Sequence, residues 1–296
     1  MNIPKEALDI LEAVQGQSFI AGGYARWVAT GFKSYTPSDI DLFHYKQNMQ
    51  YNPVDKDEFE LHDQTVTALM ELGYHITRDL PNAIEMKMSA LQECREKEYF
   101  SIANHQLRDI IYRSGDFKSW YRLLPVAGYT TVQVIKPFTN YIPAFTEPEI
   151  KGGHSDFTFK EVQHERRLAM KTFGTPSEVI SLFDFPQAMV ALEWRDWQRP
   201  HSGISNIIVT TDERFDAAEA SHKLSINHIN CPIAVAMRAF KYVGKGYTIR
   251  PREIVKLFKD WDNRPPDYKK RLTDLCEKDN LEAAEWFELE QLLRID

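Results

Sequence analysis

Ser38-Asp-Ile-Asp-Leu-Phe43 sets two carboxylates, Asp39 and Asp41, inside an apolar run. On an extended strand, side chains alternate between the two faces, so residues two apart point the same way. The pattern therefore predicts a strand on which Asp39 and Asp41 project together while Ile40 and Leu42 enter the core. Carboxylates embedded in an apolar strand are costly unless they are paired or bound to a metal.

The spacing of Asp39 and Asp41 indicates a metal site. Two adjacent carboxylates repel each other unless a cation lies between them. Mg²⁺ prefers oxygen ligands and is usually held by one or two carboxylates together with substrate phosphates. We therefore expect phosphoryl or nucleotidyl transfer that depends on Mg²⁺, with Mn²⁺ as a substitute. A loop Asp-x-Asp without function is the alternative.

A glycine pair precedes this strand, in Phe19-Ile-Ala-Gly-Gly-Tyr-Ala-Arg-Trp27. Residues 18–21 predict a short buried strand and residues 24–30 a helix. Glycine lets the backbone approach a ligand closely, and the amides at a helix N-terminus bind anions. Gly22 and Gly23 are therefore candidates for binding a triphosphate, with a simple turn as the alternative. Arg26 either neutralises phosphate charge or is a surface cation in an ion pair.

A third carboxylate follows in Phe183-Asp-Phe185. Residues 183–192 predict a buried strand that is interrupted only by Pro186. Two-metal nucleotidyl transfer uses metals that clamp the attacking and leaving oxygens, and three carboxylates suit that arrangement. Asp184 is the candidate for the third metal ligand, and a turn or helix cap is the alternative. Asp196 is a weaker candidate.

Residues 232–243 predict a helix that buries Met237, Phe240 and Val243 and carries Lys241 in its C-terminal half. A lysine at that place can meet phosphates as a point charge. Lys245, which follows the helix, is a second candidate for balancing triphosphate charge. A solvated basic face is the alternative for both lysines.

Two tyrosines near the end of this helix, Tyr242 and Tyr247, are candidates for stacking on the base of a nucleotide. Stacking on an aromatic ring tolerates any base. Packing in the core is the alternative for both side chains.

The bulk composition is that of a globular protein without a membrane span: 296 residues, 43% hydrophobic, 27% charged and three cysteines far apart. Scattered, unpaired cysteines are typical of reduced thiols, so we expect a cytoplasmic protein. A net charge of −7 argues against coating of nucleic acid without specificity. Residues 221–256 are the exception, with seven Lys and Arg residues against one acid.

Strand and helix patterns mix up to about residue 215, and only helical patterns follow. The sequence therefore predicts an α/β (α+β) fold, with a catalytic domain over residues 1–215 and a helical domain over residues 216–296.

The order Gly22-Gly23 and then Asp39-Ile-Asp41 resembles the signature of the DNA polymerase β-like nucleotidyltransferase superfamily, which includes poly(A) polymerases, CCA-adding enzymes and oligonucleotide synthases. Residues 132–136 are similar to the strand before the third carboxylate of that superfamily, and Asp184 falls where this carboxylate is expected. Residues 239–247 resemble the helix whose lysine contacts the incoming triphosphate. The chain also resembles uncharacterised nucleotidyltransferase-like proteins of phages and large DNA viruses.

The resemblance implies a palm with a mixed sheet, followed by a helical domain. It also implies catalytic and metal-binding roles for Asp39, Asp41 and Asp184, and nucleotide-binding roles for Gly22, Gly23, Arg26, Lys241, Lys245 and Tyr242. The expected partners are a nucleoside triphosphate and an RNA or DNA 3′ end. Transfer to a protein, a small molecule or another nucleotide, as in a toxin, an antiphage enzyme or a second-messenger synthase, is the alternative. A binding module without catalysis is a further one.

Overall fold

A computed structural model of the chain describes residues 3–33, 36–46, 56–94, 111–113, 120–142, 146–151, 158–163, 167–194, 207–282, 284–285 and 288–289. Asp196, the weaker candidate for the third carboxylate, lies outside these residues. The chain forms two compact units. The first comprises Met1–Pro137, Thr172–Ile180 and Val190–Thr211, and the second Phe138–Lys171, Ser181–Met189 and Asp212–Asp296. The units therefore interleave along the sequence, whereas the sequence predicted two consecutive ranges.

The described helices are α1 (Lys5–Ala13), α2 (Gly23–Ala29), α3 (Lys56–Glu71), α4 (Pro176–Ser181), α5 (Phe215–Ser221), α6 (Pro232–Val243), α7 (Pro251–Asp262) and α8 (Pro266–Cys276), with a 3₁₀ turn at Pro186–Ala188. The strands up to residue 142 are β1 (Ser18–Ala21), β2 (Asp39–His44), β3 (Tyr74–Asp79), β4 (Ala83–Cys94), β5 (Ile111–Arg113), β6 (Trp120–Pro125), β7 (Thr131–Ile135) and β8 (Thr139–Ile142). The later strands are β9 (Thr146–Lys151), β10 (Thr158–Gln163), β11 (Arg167–Lys171), β12 (Val190–Trp194), β13 (Ile207–Thr211), β14 (Lys223–Leu224) and β15 (Thr248–Ile249).

A mixed sheet forms the centre of the first unit, in the order β13-β12-β1-β2-β7-β4, with β3 paired to the first half of β4. The second half of β4 continues the sheet through β6 to β5. The β2–β7 pair is parallel, and the other ladders of this sheet are antiparallel. The prediction of a mixed α/β architecture is therefore confirmed at that level.

One face of this sheet carries the apolar core of the first unit. Ile40 and Leu42 of β2 and Val132 and Val134 of β7 are fully buried there, because register partners on neighbouring strands share a face. The helix α1 buries its apolar stripe of Ala7, Ile10 and Leu11, and it contacts β1 and β12. The period of 3.6 residues in α1 and the period of two in β2 thus specify a common core.

Two apolar clusters hold the helical part of the second unit. One joins α6 to α7 through Val235, Ala239, Tyr242 and Leu257, and it includes Phe185. The other joins Ala234 of α6 to α8 and contains Cys231, Leu272, Leu275 and Leu289. The helices α6, α7 and α8 each begin with proline, whose fixed φ and missing N–H suit the first helical position.

Residues 138–171 group with the second unit and contain the strands β8 to β11. Strands β9 and β10 pair antiparallel, and so do β8 and β11, so β9 and β10 are nested between β8 and β11 along the chain. Pro148 lies within β9. Proline is tolerated in strands mainly at edges, at the first residue or at bulges, so the residue pattern does not predict a strand here.

Residues 183–192 do not form the single buried strand that the sequence predicted. Residues 183–185 are a bend, Pro186–Ala188 is a 3₁₀ turn, and β12 begins at Val190. The physical reason is Pro186, which cannot donate to a strand ladder but suits the start of a helical turn. No helix among the described residues has both the length and the apolar character needed to cross a bilayer.

Candidate active site

Asp39 and Asp41 begin β2 and lie on the same face of the central sheet. Both are half-buried, whereas Ile40 and Leu42 between and after them are fully buried. The alternation predicted from the sequence is therefore confirmed. The β2 strand fixes the spacing of the two carboxylates, since side chains two apart on a strand leave the same face of the pleat.

The polar face continues from Asp41 across two neighbouring strands. Asp41 lies opposite Gln133 of β7, and Gln133 lies opposite Glu85 of β4. Adjacent strands are about 4.8 Å apart, so these three side chains form a row of oxygen-bearing groups. Glu85 Oε1 also accepts a hydrogen bond of 3.1 Å from the hydroxyl of Thr77. The sequence interpretation missed Gln133 and Glu85, because only the strand register brings them to Asp41.

The glycine pair lies on the other side of β2. Ala21, the last residue of β1, lies opposite Asp41, and Gly22 and Gly23 follow it directly. Gly22 has φ 82° and ψ −137°, a conformation that glycine adopts easily and other residues avoid. This turn ends β1 and starts α2 at Gly23. The two predicted elements, glycine turn and carboxylate pair, are therefore neighbours on adjacent strands.

The backbone amides of the turn have different roles. The Gly22 N–H donates to the carbonyl of Val190 on β12 at 3.0 Å, so it is used within the sheet. The Gly22 carbonyl accepts the N–H of Arg26 at 2.9 Å, which closes the first turn of α2. The first amides of a helix have no partner within the helix. The triphosphate contact predicted for Gly22 and Gly23 stays a prediction, and the Gly22 N–H is already used within the sheet.

Arg26 is a buried side chain of α2, with 2% of its surface exposed. The alternative of an ordinary surface cation is therefore wrong for this residue. A guanidinium is almost never buried unless it is paired. Its contribution to triphosphate binding stays a prediction.

A buried polar network anchors β2 at the end away from the carboxylates. The imidazole of His44 contacts the Ser18 hydroxyl through Nδ1 at 2.8 Å and the carbonyl of Ile135 through Nε2 at 2.8 Å. Since a carbonyl only accepts, Nε2 carries the proton. The Ser18 hydroxyl also contacts the hydroxyl of Thr65 on α3 at 2.7 Å. The network thus joins β1, β2, β7 and α3.

The electrostatics of this network favour a neutral imidazole. Burial is the main cause that lowers the pKa of His44 to about 3, and the neighbouring His62 lowers it further. The hydrogen bond to Ile135 acts in the opposite direction. With Nε2 protonated, the neutral ring accepts a hydrogen bond from the Ser18 hydroxyl at Nδ1. The polar residue at position 44 of an apolar strand was the only sequence signal for this anchor.

Asp184 lies in the bend of the second unit, where its carboxylate forms an ion pair with Nε of Arg238. Asn227 holds the same bend through three hydrogen bonds, from its N–H to the Asp184 carbonyl and from Nδ2 to the carbonyls of Ser181 and Phe183. This environment matches the turn alternative in its geometry. The metal-ligand role of Asp184 stays a prediction, and it competes with the guanidinium of Arg238.

The lysines and the tyrosine predicted to bind nucleotide lie in or just after α6. Lys241 is exposed, and Lys245 Nζ lies 5.6 Å from the centre of the Tyr242 ring. Tyr242 is only 7% exposed and packs against Phe185 and Tyr247, which is itself 4% exposed. The core therefore uses most of both tyrosine rings, as the packing alternative required, and little of Tyr242 remains for stacking on a base.

The face of α6 that was predicted to be buried is exposed. Met237, Phe240 and Val243 are 49%, 69% and 41% exposed. The buried apolar cluster instead contains the other apolar stripe of the helix, which consists of Val235, Ala239 and Tyr242. Both stripes have helical spacing, and Tyr242 of the buried stripe packs against Phe185 and Tyr247.

Oxygen ligands for a hard divalent cation are present at Asp39 and Asp41. Two carboxylates with substrate phosphates are a sufficient set for Mg²⁺. Over the described ranges, no group of three or more His, Cys, Asp or Glu side chains is arranged to hold a metal ion. Binding of Mg²⁺ at Asp39 and Asp41 stays a prediction.

No family model matches the chain, and no curated protein matches it in sequence.

Proposed function

We propose that this chain is a metal-dependent nucleotidyltransferase. In this proposal it moves a nucleoside monophosphate from a nucleoside triphosphate to the 3′ hydroxyl of an RNA or DNA strand and releases pyrophosphate. The observation that carries the proposal is the position of Asp39 and Asp41 on one polar face, beside the Gly22-Gly23 turn on the adjacent strand.

The carboxylates supply negative charge at a fixed spacing. Asp39 and Asp41 leave the same face of a strand whose other face is fully buried, so the strand fixes the spacing of the two residues. Preorganised charge of this kind is a large part of enzymatic stabilisation of a transition state. Asp39 and Asp41 would hold Mg²⁺ or Mn²⁺, which, when bound, offsets the charge of the triphosphate and favours attack by a hydroxyl.

The glycine turn supports the triphosphate part of the proposal. Gly22 turns the chain so that α2 begins immediately beyond β1, next to the strand of Asp41. Amides at a helix N-terminus attract phosphate oxygens. In the reaction, the acceptor hydroxyl loses its proton to water and its oxygen forms a bond to the α-phosphorus. The bond from the α-phosphorus to the oxygen that bridges to the β-phosphorus breaks, and pyrophosphate leaves with the electron pair. Asp184, Lys241 and Lys245 are assigned to the same chemistry by resemblance alone.

A screen for product tests the proposal. The protein is incubated with each ribo- and deoxyribonucleoside triphosphate, Mg²⁺ or Mn²⁺, and single-stranded RNA or DNA, and the products are measured by mass spectrometry. We expect strands lengthened by whole nucleotides and an equal amount of pyrophosphate. Absence of extension and of pyrophosphate with every combination would contradict the proposal.

The same screen separates the alternative acceptors. The net charge of −7 is the observation behind the alternative of a small or protein acceptor. Nucleotide mass added to the protein itself, or a small nucleotide product formed without a strand, would assign the reaction to that alternative. Binding of triphosphate without any turnover would indicate a noncatalytic module.

A further inference from the structure

The helix α6 presents an exposed apolar stripe that the core does not use. Met237, Phe240 and Val243 are spaced three residues apart and therefore lie along one side of the helix. Phe240 is the most exposed of them, at 69%. The opposite stripe, which contains Val235 and Ala239, packs in the apolar cluster with α7. The exposed stripe is therefore separate from the stripe of α6 that packs in the apolar cluster with α7.

The segment that carries this stripe has an excess of positively charged residues. Residues 221–256 contain seven Lys and Arg residues and a single acid, Glu253. The Glu253 side chain is 1% exposed, accepts the N–H of Ile226, and pairs with Arg252 and Lys256. Arg238 pairs with Asp184, whereas Lys223, Lys241 and Arg250 are exposed, so the segment keeps a net positive charge. Lys241 is one of these cations, and it is exposed beside Phe240.

The neighbouring helix repeats the combination. On α7, Phe258 is 64% exposed and Val255 is 48% exposed, and the exposed Lys259 follows Phe258. The helix α7 packs with α6 through Leu257 in the same apolar cluster. Two exposed phenylalanines, each directly followed by an exposed lysine, are thus held on two packed helices. Single exposed apolar residues are common on protein surfaces. Here an aromatic ring and a lysine are both exposed on each of the two helices.

We infer that the exposed stripe of α6, defined as Met237, Phe240, Lys241 and Val243, binds single-stranded nucleic acid. A phenylalanine face stacks on a base, and a neighbouring lysine contacts the phosphate backbone. A polyanion also matches a segment whose one acid is buried. Because the inference takes the bound strand as the acceptor, it rests on the proposed function, although the binding itself is measured without catalysis.

Direct binding tests the inference. A fluorescently labelled single strand of about 16 nucleotides, as RNA and as DNA, is titrated with the protein in EDTA and without nucleotide, and anisotropy is recorded. We expect Phe240→Ala to weaken binding by about 10-fold, because stacking on one ring contributes roughly 1–3 kcal/mol. Phe240→Tyr keeps the ring and should bind like wild type, whereas Phe240→Leu should behave like Phe240→Ala.

Matched variants elsewhere control for general loss of apolar or basic surface. Phe59→Ala removes a phenylalanine that is 50% exposed on α3, and Lys5→Gln removes an exposed lysine of α1. Both should bind the strand like wild type. Lys241→Gln should reduce the slope of log affinity against log salt by about 0.7, the value for one phosphate contact on a single strand.

Failure of strand binding and failure of nucleotide transfer give different results in these experiments. Equal binding by Phe240→Ala and wild type would overturn the inference, and so would a wild-type protein that binds no strand or that binds only an acidic peptide. An Asp39→Asn, Asp41→Asn double variant should bind the strand normally. If wild type binds through Phe240 but never extends the strand, the proposed function fails and the binding surface stands.

Discussion

Asp41 of β2 lies directly opposite Gln133 of β7 in the one parallel pair of the described central sheet. This relationship places a neutral amide beside a half-buried carboxylate that already shares its face with Asp39. A glutamate at this place would add a fourth carboxylate to Asp39, Asp41 and Glu85 and so increase their repulsion. The register therefore makes Gln133 a sensitive position for testing the metal site.

Gln133→Glu should lower the free energy of unfolding by about 1 kcal/mol in EDTA, since like charges opposite each other destabilise a sheet. Millimolar Mg²⁺ should recover most of this loss, because a ligand that binds only the folded state stabilises it. Urea unfolding with and without Mg²⁺ measures both effects. Gln133→Met, which adds no charge, is the control and should not respond to Mg²⁺ more than wild type. An equal Mg²⁺ response in all three proteins would contradict a cation at this face.

Gly22→Ala should destabilise the first unit by about 1–3 kcal/mol, because residues with a Cβ rarely adopt such a conformation. Gly22 has φ 82°, whereas Gly244, after α6, has φ −59°. A Cβ at Gly244 meets its nearest atoms only at an ordinary 3.6 Å. Gly244→Ala is therefore the matched control and should be neutral in urea unfolding. Equal stability of both variants would mean that the turn between β1 and α2 is not constrained.

Stability should fall as the pH decreases from about 6.5 toward 3. The pKa of His44 is lowered in the folded protein to about 3, against an ordinary value of 6.5. Between these values the unfolded chain binds the proton and the folded chain does not, so lower pH favours unfolding. One such histidine gives a slope of up to about 1.4 kcal/mol per pH unit.

His44→Asn should remove this part of the slope while lowering stability at pH 7.5, because the contacts to Ser18 and Ile135 are lost or lengthened. Unfolding at pH 7.5 and at pH 5 compares the two proteins. His62, whose pKa is also lowered by burial, supplies a slope that remains in the variant. An unchanged slope in His44→Asn would show that His44 is not the buried neutral group.

The ion pair of Asp184 and Arg238 should couple the two residues energetically. Asp184→Asn and Arg238→Met each remove one partner, and the double variant should be less destabilised than the sum of the two by about 0.5–3 kcal/mol. A double-mutant cycle of urea unfolding measures this term. If Asp184→Asn instead abolishes nucleotide transfer without loss of stability and without coupling, the predicted metal-ligand role is the better account.

The local patterns around the candidate site were predictable from the sequence. Strand β1, the helix after Gly22-Gly23, and the alternation of Asp39 and Asp41 with buried Ile40 and Leu42 all follow from periods within a few residues. The row of Asp41, Gln133 and Glu85 was not predictable, since it depends on the pairing of strands far apart in the sequence.

Two errors have a common origin in alternatives that local patterns cannot separate. The helix α6 has two apolar stripes, and only the tertiary contacts of Tyr242 with Phe185 and Tyr247 select the buried one. Residues 183–185 are as apolar as a strand, but Pro186 and the long-range contacts of Asn227 hold them as a bend.

Pyrophosphate release by variants that lack one carboxylate tests whether Asp39 and Asp41 act in nucleotidyl transfer. Wild type, Asp39→Asn, Asp41→Asn and the control Asp279→Asn, which changes an exposed carboxylate, are compared with the best nucleotide, strand and Mg²⁺. We predict release by wild type and Asp279→Asn that EDTA abolishes, and losses of about 100-fold or more in each of the two β2 variants. Full activity in both β2 variants, or no Mg²⁺-dependent release by wild type, would contradict the assignment of Asp39 and Asp41 to nucleotidyl transfer.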